Sequence, residues 1–204
     1  MTTSFDPERA LRSAPDPESL PDIGPAAAAA GLIDVAYAIE DTPVGRLLLA
    51  ATPRGLVRIA YLDRGVDQDQ ILLDLSAKVS PRILSSARGL DEPRRELEEY
   101  FAGDLKRFEV PLDWSLVRGF GRRVLEATAR VPFGEVTTYT KMATAAGSPR
   151  AARAAGNALG ANPLPIIVPC HRVLHASGGL GGYTGGLDRK RLLLGIEGQQ
   201  TLAT

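Results

Sequence analysis

The sequence predicts an α+β domain followed by a mostly helical one, on three observations: where strand-like runs fall, where helical runs fall, and how charge divides. Short aliphatic, strand-like runs crowd the first half, and helix-compatible runs crowd the second. Residues 1–114 carry 13 Lys/Arg against 20 Asp/Glu, a net −7, whereas residues 115–204 carry 11 against 4, a net +7. The formal zero of the whole chain conceals a basic half suited to a polyanion, although two soluble domains of unequal surface give the same numbers. With 204 residues, 44% hydrophobic and 24% charged, the composition is globular and excludes a wholly disordered chain. The expected division is a flexible extension over residues 1–30, an α+β domain over 31–114 and a helical domain over 115–204.

Taken in order, residues 1–30 lack periodicity and hold Pro15, Pro17, Pro21 and Pro25; their acidic start is unlike a signal peptide. Residues 33–40, 45–51 and 55–61 read as strands separated by Thr42-Pro43 and Thr52-Pro53-Arg54-Gly55 turns. Residues 68–79 and 92–101 read as helices, the second with Leu97, Tyr100 and Phe101 along one face, and 106–112 as one more strand. A boundary is expected near residues 114–120. Beyond it, 119–131 is a helix stopped before Pro132, 138–146 a second ended by Gly147, and 149–159 a third, with Ser148 as N-cap and Pro149 in the first turn. The last two make a helix-turn-helix spacing. The third surrounds Arg153 with Ala151, Ala152, Ala154, Ala155 and Gly156, a face suited either to tight helix packing or to close approach to a nucleic-acid groove.

The chemistry concentrates around Cys170, the only cysteine, which leaves no internal disulfide and no multi-cysteine zinc site. No metal and no cofactor are expected. No apolar run approaches the roughly 20 residues of a membrane span, and a cytoplasmic setting keeps a lone thiol reduced. Ile166-Ile167-Val168 reads as a buried strand-like run leading through Pro169 to Cys170-His171-Arg172. An inert core cysteine is the usual outcome after such a run. Here an imidazole and a guanidinium follow, and both favour thiolate, the nucleophilic form. In extended chain, neighbours point to opposite faces, so His171 assists Cys170 only if the chain turns there or a water bridges them. The acidic choices to orient that imidazole are Glu126, Glu135, Asp188 and Glu197; the last follows the helix over 189–196, a position that either points inward or is a solvated helix terminus, the commoner case. Paired glycines at 178–179, 181–182 and 185–186 bracket Tyr183 and Thr184 in a loop able to close around a flat ligand. His175 is expected to be a solvated loop histidine.

These residues carry a resemblance. Val168-Pro169-Cys170-His171-Arg172-Val173 resembles the signature of the O6-alkylguanine-DNA alkyltransferases. So, in order, do Val131-Pro132-Phe133-Gly134-Glu135-Val136 with Tyr139, Ser148-Pro149-Arg150-Ala151-Ala152-Arg153-Ala154, Asn162-Pro163, Gly182-Tyr183-Thr184-Gly185-Gly186 and residues 192–198. Thr42-Pro43-Val44-Gly45 and residues 96–103 are similar to the family's N-terminal domain, so the likeness runs over roughly 33–199. It implies a ribonuclease-H-like N-terminal domain and repair by one irreversible transfer of an alkyl group from guanine O6, and from thymine O4, in duplex DNA. The target base must be flipped out of the stack. By the same resemblance Cys170 accepts the alkyl group, His171 takes its proton through a water, Glu197 holds His171, and Asn162 supports the turn. Tyr183 meets the flipped base or its leaving oxygen, Thr184 and Val173 line the pocket, and the Cys170 and Val173 carbonyls read the guanine amino group. Arg153 enters the stack, Tyr139 meets the target phosphate, and Thr138, Ala152, Ala154 and Gly156 lie against DNA, in the minor groove. A monomer is implied, with cooperative assembly on DNA left open. Leu125 stands where many relatives carry Trp and Gly121 where Gln is common, both expected to be packing changes. A damage sensor would lack the acceptor cysteine, a sequence-specific regulator needs more base-reading side chains than Arg153, and nothing suggests a turnover site for an acyl intermediate.

Overall fold

In the computed structural model the structure describes residues 26–27, 30–63 and 65–199, so most of the expected 1–30 extension lies outside the described residues. The first half is a four-stranded sheet, β1 (Val35–Thr42), β2 (Gly45–Thr52), β3 (Gly55–Tyr61) and β4 (Ile83–Ser85), in the order β3-β2-β1-β4. Neighbours are antiparallel except β4, which runs parallel to β1. Between β3 and β4 lies α1 (Gln68–Lys78), capped by the Asp67 carboxylate on the Asp69 N–H; α2 (Asp91–Ala102) follows, with Asp91 and Glu92 in its first turn and left-handed Gly103 closing it.

Strand alternation gives the sheet two buried faces. Leu48, Ala50, Val57 and Ala60 pack with Ile71 and Leu75 of α1, while Leu47, Leu49, Ala51, Leu56, Ile59 and Tyr61 look the other way. A β-bulge makes this arrangement: Ala51 pairs with Leu56 but Ala50 pairs with Arg58, and the extra residue returns Ile59 and Tyr61 to the face Leu56 occupies. That face is shared with the C-terminal half, whose Val124, Leu125, Ile166, Val168, Val173 and Leu193 belong to the same core. The outer edge of β3 is covered too, with the Ile59 N–H donating to the Pro163 carbonyl at 2.8 Å.

One expectation in this half is corrected. Residues 106–112 form no strand, only an isolated bridge between Leu56 and Leu112. The buried Glu96 carboxylate takes the Glu109 and Val110 N–H groups at 2.9 and 3.2 Å, and Pro111 has none to offer, so no ladder propagates. The fourth strand is β4 instead, too short to show a pattern. Gly55 is demanded by this arrangement: its φ is 127°, and a Cβ there would sit 2.2 Å from the Pro111 carbonyl oxygen.

The second half begins after a 3-10 turn, Trp114–Leu116, and holds α3 (Gly119–Thr128), α4 (Tyr139–Ala145), α5 (Ala152–Gly160) and α6 (Leu187–Ile196). Two parallel strand pieces, β5 (Thr137–Thr138) and β6 (Val173–Leu174), tie the site to the start of α4. α3 stops at Thr128, before the expected end at 131: the Arg130 and Val131 N–H groups bond the Ala127 and Thr128 carbonyls three residues back, a tightened turn, and residue 131 itself is kept out of the α conformation by Pro132. α5 starts at Ala152, and Ser148 is not its N-cap: the Ser148 carbonyl accepts from the Ala151 N–H, so Pro149 and Arg150 form a turn before the helix. Leu125 is buried and a Cβ at Gly121 would meet Ala158 at 3.7 Å, both packing positions. Among the described residues no helix is long and apolar enough to cross a membrane.

Candidate active site and DNA-facing cleft

Residues 162–174 are buried without interruption. The expected strand at 166–168 is a turn: Val168 N–H bonds the Leu164 carbonyl, Cys170 N–H bonds the Val168 carbonyl, and Ile166 has φ 75°. Left-handed backbone costs an L-residue roughly 1–2 kcal/mol, so something must hold it. Asn162 does. Its Oδ1 accepts the Leu164 N–H at 3.0 Å and its Nδ2 donates to the Val168 carbonyl at 2.9 Å, bracketing Ile166; the same Nδ2 reaches Cys170 Sγ at 3.3 Å.

Beyond Pro169 the chain enters a 3-10 turn, Cys170–Arg172, which resolves the difficulty of adjacent side chains. Cys170 opens into a cleft, while His171 and Arg172 turn back to Glu197, just past α6. The Glu197 carboxylate is fully surrounded. Oε1 accepts from His171 Nε2 at 2.8 Å, Tyr100 Oη at 2.7 Å and Arg172 at 2.8 Å, while Oε2 accepts the second arm of Arg172 at 2.8 Å. Burial raises this carboxyl, but the His171 and Arg172 bonds outweigh it and hold it down at about 2. An ionised acceptor on Nε2 assigns the proton to that nitrogen and leaves Nδ1 as the basic one; among the described residues Nδ1 has no partner. Burial also lowers the His171 pKa, keeping the ring neutral, and raises that of the Cys170 thiol, opposed by Asn162 and Lys190.

Arg172 therefore corrects one expectation: it serves Glu197, the Val131 carbonyl and the Phe133 face, not the thiol. The cation acting on Cys170 is Lys190, which sequence reasoning missed. Lys190 is buried, donates to the Val173 carbonyl at 2.7 Å and to the Leu180 carbonyl, and is drawn down by burial to about 8. In sequence it hides in a basic triplet, yet Lys190, Leu193, Leu194 and Glu197 share one helical face.

The cleft encloses about 690 Å3 and is lined by Cys170, Tyr139, Arg153, Gly156, Tyr183 and Thr184, with Ala152 and His175 among its other walls. Val173 does not line it: its side chain lies in the core and its carbonyl already accepts from Lys190. Ala154 is exposed on α5 outside the lining, and Thr138 caps α4 on the Lys141 N–H. Tyr139 wedges between Gly156 and Gly181; a Cβ on Gly181, whose φ is 70°, would meet the Tyr139 hydroxyl at 2.5 Å. His175, expected in solvent, is exposed but rests its ring against Tyr139 at 5.2 Å. Tyr183 bonds the Tyr61 hydroxyl of β3 at 2.8 Å, a contact with no sequence signal.

Residues 35–114 match the family model described as the ribonuclease-like domain of 6-O-methylguanine DNA methyltransferase, and residues 119–199 match its DNA-binding domain. A protein of Mycolicibacterium paratuberculosis named methylated-DNA–protein-cysteine methyltransferase is 50% identical over 111 residues, 53% of this chain and 66% of that one. A Methanosarcina acetivorans protein of the same name is 49% identical over 107 residues, 52% of this chain and 68% of that one. The chain spans 61–66% of the length of the first mycobacterial relatives it matches. Among solved structures, the Mycobacterium tuberculosis OGT in complex with DNA superposes with a TM-score of 0.67 at 38% identity, over 80% of this chain and 93% of that one. The O6-methylguanine methyltransferase of the same organism gives 0.68 at 38%, over 81% and 94%. With both family models matched in chain order and near-complete coverage of those structures, the chain belongs to the 6-O-methylguanine DNA methyltransferase family.

Proposed function

We propose that this protein repairs alkylated DNA by moving the alkyl group of an O6-alkylguanine, and of an O4-alkylthymine, onto Cys170, once per molecule. The observation that carries the reading is a lone thiol on the floor of a cleft, backed by a buried His171–Glu197 pair and rimmed by a helix of small residues. The resting thiol is neutral, so a base is needed: its proton passes through a water to Nδ1 of His171, and Glu197 balances the imidazolium. The sulfur then attacks the alkyl carbon; an S–C bond forms, the C–O bond breaks, and its electron pair stays on guanine O6. Tyr183 and Thr184 face the flipped base, and the proton that His171 took from the thiol passes back through water to the guanine, which completes the balance. A thioether is a poor leaving group, which makes the transfer irreversible.

DNA binds along α4 and α5, acting as a helix-turn-helix whose second helix enters the minor groove. Ala152, Ala154 and Gly156 permit close approach, Arg153 fills the space the base leaves, and Tyr139 meets the phosphate. Such binding is largely independent of sequence and weakens with salt. A cytoplasmic setting, where a lone thiol stays reduced, goes with this reading. Mass spectrometry after incubation with duplex DNA containing O6-methylguanine tests it. One added methylene on the peptide bearing Cys170, absent in Cys170→Ala, is the expected result. Lesion binding without transfer points instead to a damage sensor, and the absence of both transfer and lesion binding overturns the family's chemistry for this chain.

A further inference from the structure

The residue the reaction leaves unused is Tyr61. It stands on the N-terminal sheet, at the end of β3, and the bulge turns it toward the C-terminal half. Its hydroxyl lies 2.8 Å from that of Tyr183. Above its ring, 4.3 Å from the centroid, sits the Arg189 guanidinium, itself held by Asp63 and by the Val44 and Gly185 carbonyls. Two hydroxyls share one hydrogen bond, and two arrangements are available. If Tyr183 donates to Tyr61, the buried Tyr61 proton must find another acceptor, and the group lying over its ring is a cation that cannot accept it. If Tyr61 donates to Tyr183, the Tyr61 proton is satisfied and the Tyr183 proton is free to point into the cleft that Tyr183 lines. A cation over the Tyr61 ring also makes that phenol the better donor.

We infer that Tyr61 is a positioning residue for alkyl transfer: by donating to the Tyr183 oxygen it aims the Tyr183 O–H at the leaving O6 of the flipped base. The inference deepens the proposed reaction and rests on it. Burial keeps both phenols protonated, so they act as hydrogen-bond donors and neither is consumed. The electron pair released by C–O cleavage develops on O6, where an aimed donor lowers the barrier. The sheet domain thereby contributes to the chemical step through one hydroxyl.

The test is Tyr61→Phe, which keeps the ring and the Arg189 contact. Methyl transfer from O6-methylguanine in duplex DNA is expected to slow about tenfold, less than the roughly 100- to 1,000-fold cost of removing an oxyanion donor outright, because the Tyr183 hydroxyl remains and only its aim is lost. Lesion-duplex affinity and the rate of Cys170 alkylation by iodoacetamide, whose leaving group needs no such donor, stay unchanged. In a Tyr183→Phe background the same change adds nothing further. If Tyr61→Phe fails to fold, 3-fluorotyrosine at position 61, a stronger donor of nearly the same shape, serves in its place and is expected to raise the transfer rate. Unchanged transfer with either replacement overturns the inference; so does equal slowing with iodoacetamide, or a multiplicative loss in the double variant. A wild-type protein that iodoacetamide labels but O6-methylguanine does not methylate overturns the reaction itself. Normal wild-type transfer with no Tyr61 effect removes only the inference.

Discussion

Along the floor of the cleft, residues 162–174 are all buried, and the polar side chains of Asn162, His171 and Arg172 are bonded to protein groups. Around its rim, Thr140, Arg153, Gly160, His175, Gly182 and Thr184 are exposed, and the helix that forms one side is mostly Ala and Gly. The floor spends burial on electrostatics: a carboxylate, a guanidinium and an imidazole are affordable there only because each completes the others. The rim has little to satisfy and much to leave open. A change on the floor should therefore register first as lost stability, and a change on the rim as lost binding.

The largest effect that sharpens this contrast is expected from Glu197→Gln. Removing the charge leaves Arg172 buried and unneutralised, so denaturant unfolding should show a loss of about 3–5 kcal/mol. Acid titration gives a second signature. His171 is held below its ordinary 6.5, so its share of stability is present above that value and is lost as pH falls below it. Glu197, held at about 2 against an ordinary 4.5, contributes stability that is full above 4.5 and lost as pH falls toward 2. The wild type should thus destabilise in two stages on acidification, and the lower one should shrink in Glu197→Gln, where Asp34 and Asp113 still contribute to it. A single acid stage in the wild type would break the account of the floor.

An intermediate effect is expected where floor and rim meet. A Cβ on Gly185 would stand 2.6 Å from the Tyr61 ring and 2.8 Å from that of Tyr183. Gly185→Ala must push the two tyrosines apart, at about 1–3 kcal/mol, and thermal melting would register it. The smallest effect is on the rim and has the opposite sign. At Gly156 an added methyl meets only the Tyr139 ring, at an ordinary 3.7 Å, and removes a helix-interior glycine. Gly156→Ala should raise stability by up to about 1 kcal/mol while weakening duplex affinity. Tighter duplex binding by that variant would contradict the close approach assigned to α5.

Glu197 shows what helical spacing can reveal. Given a helix ending near Gly198, its place on one face with Leu193 and Leu194 marks it as inward, and Lys190 lies on that same face. Asn162 and Cys170 were legible as a motif, but the strand read into 166–168 was wrong. Three aliphatic residues look alike in a buried strand and a buried turn, and only the Asn162 bonds at either end select the turn. The same limit hid β4 and mistook residues 106–112, whose donors go to a carboxylate far back in α2.

From local pattern alone, the sequence determined the order of most elements, the split into acidic and basic halves, and the small-residue surface of α5 around Arg153. Those depend on neighbours a few residues apart, where spacing and side-chain size suffice. Only the tertiary structure decided that Arg172 serves Glu197 while Lys190 acts on the thiol, and that Tyr61 reaches Tyr183 from the opposite half of the chain. Those pairings are settled by packing and by the need to satisfy every buried charge and donor, and no periodicity encodes which distant group will do so.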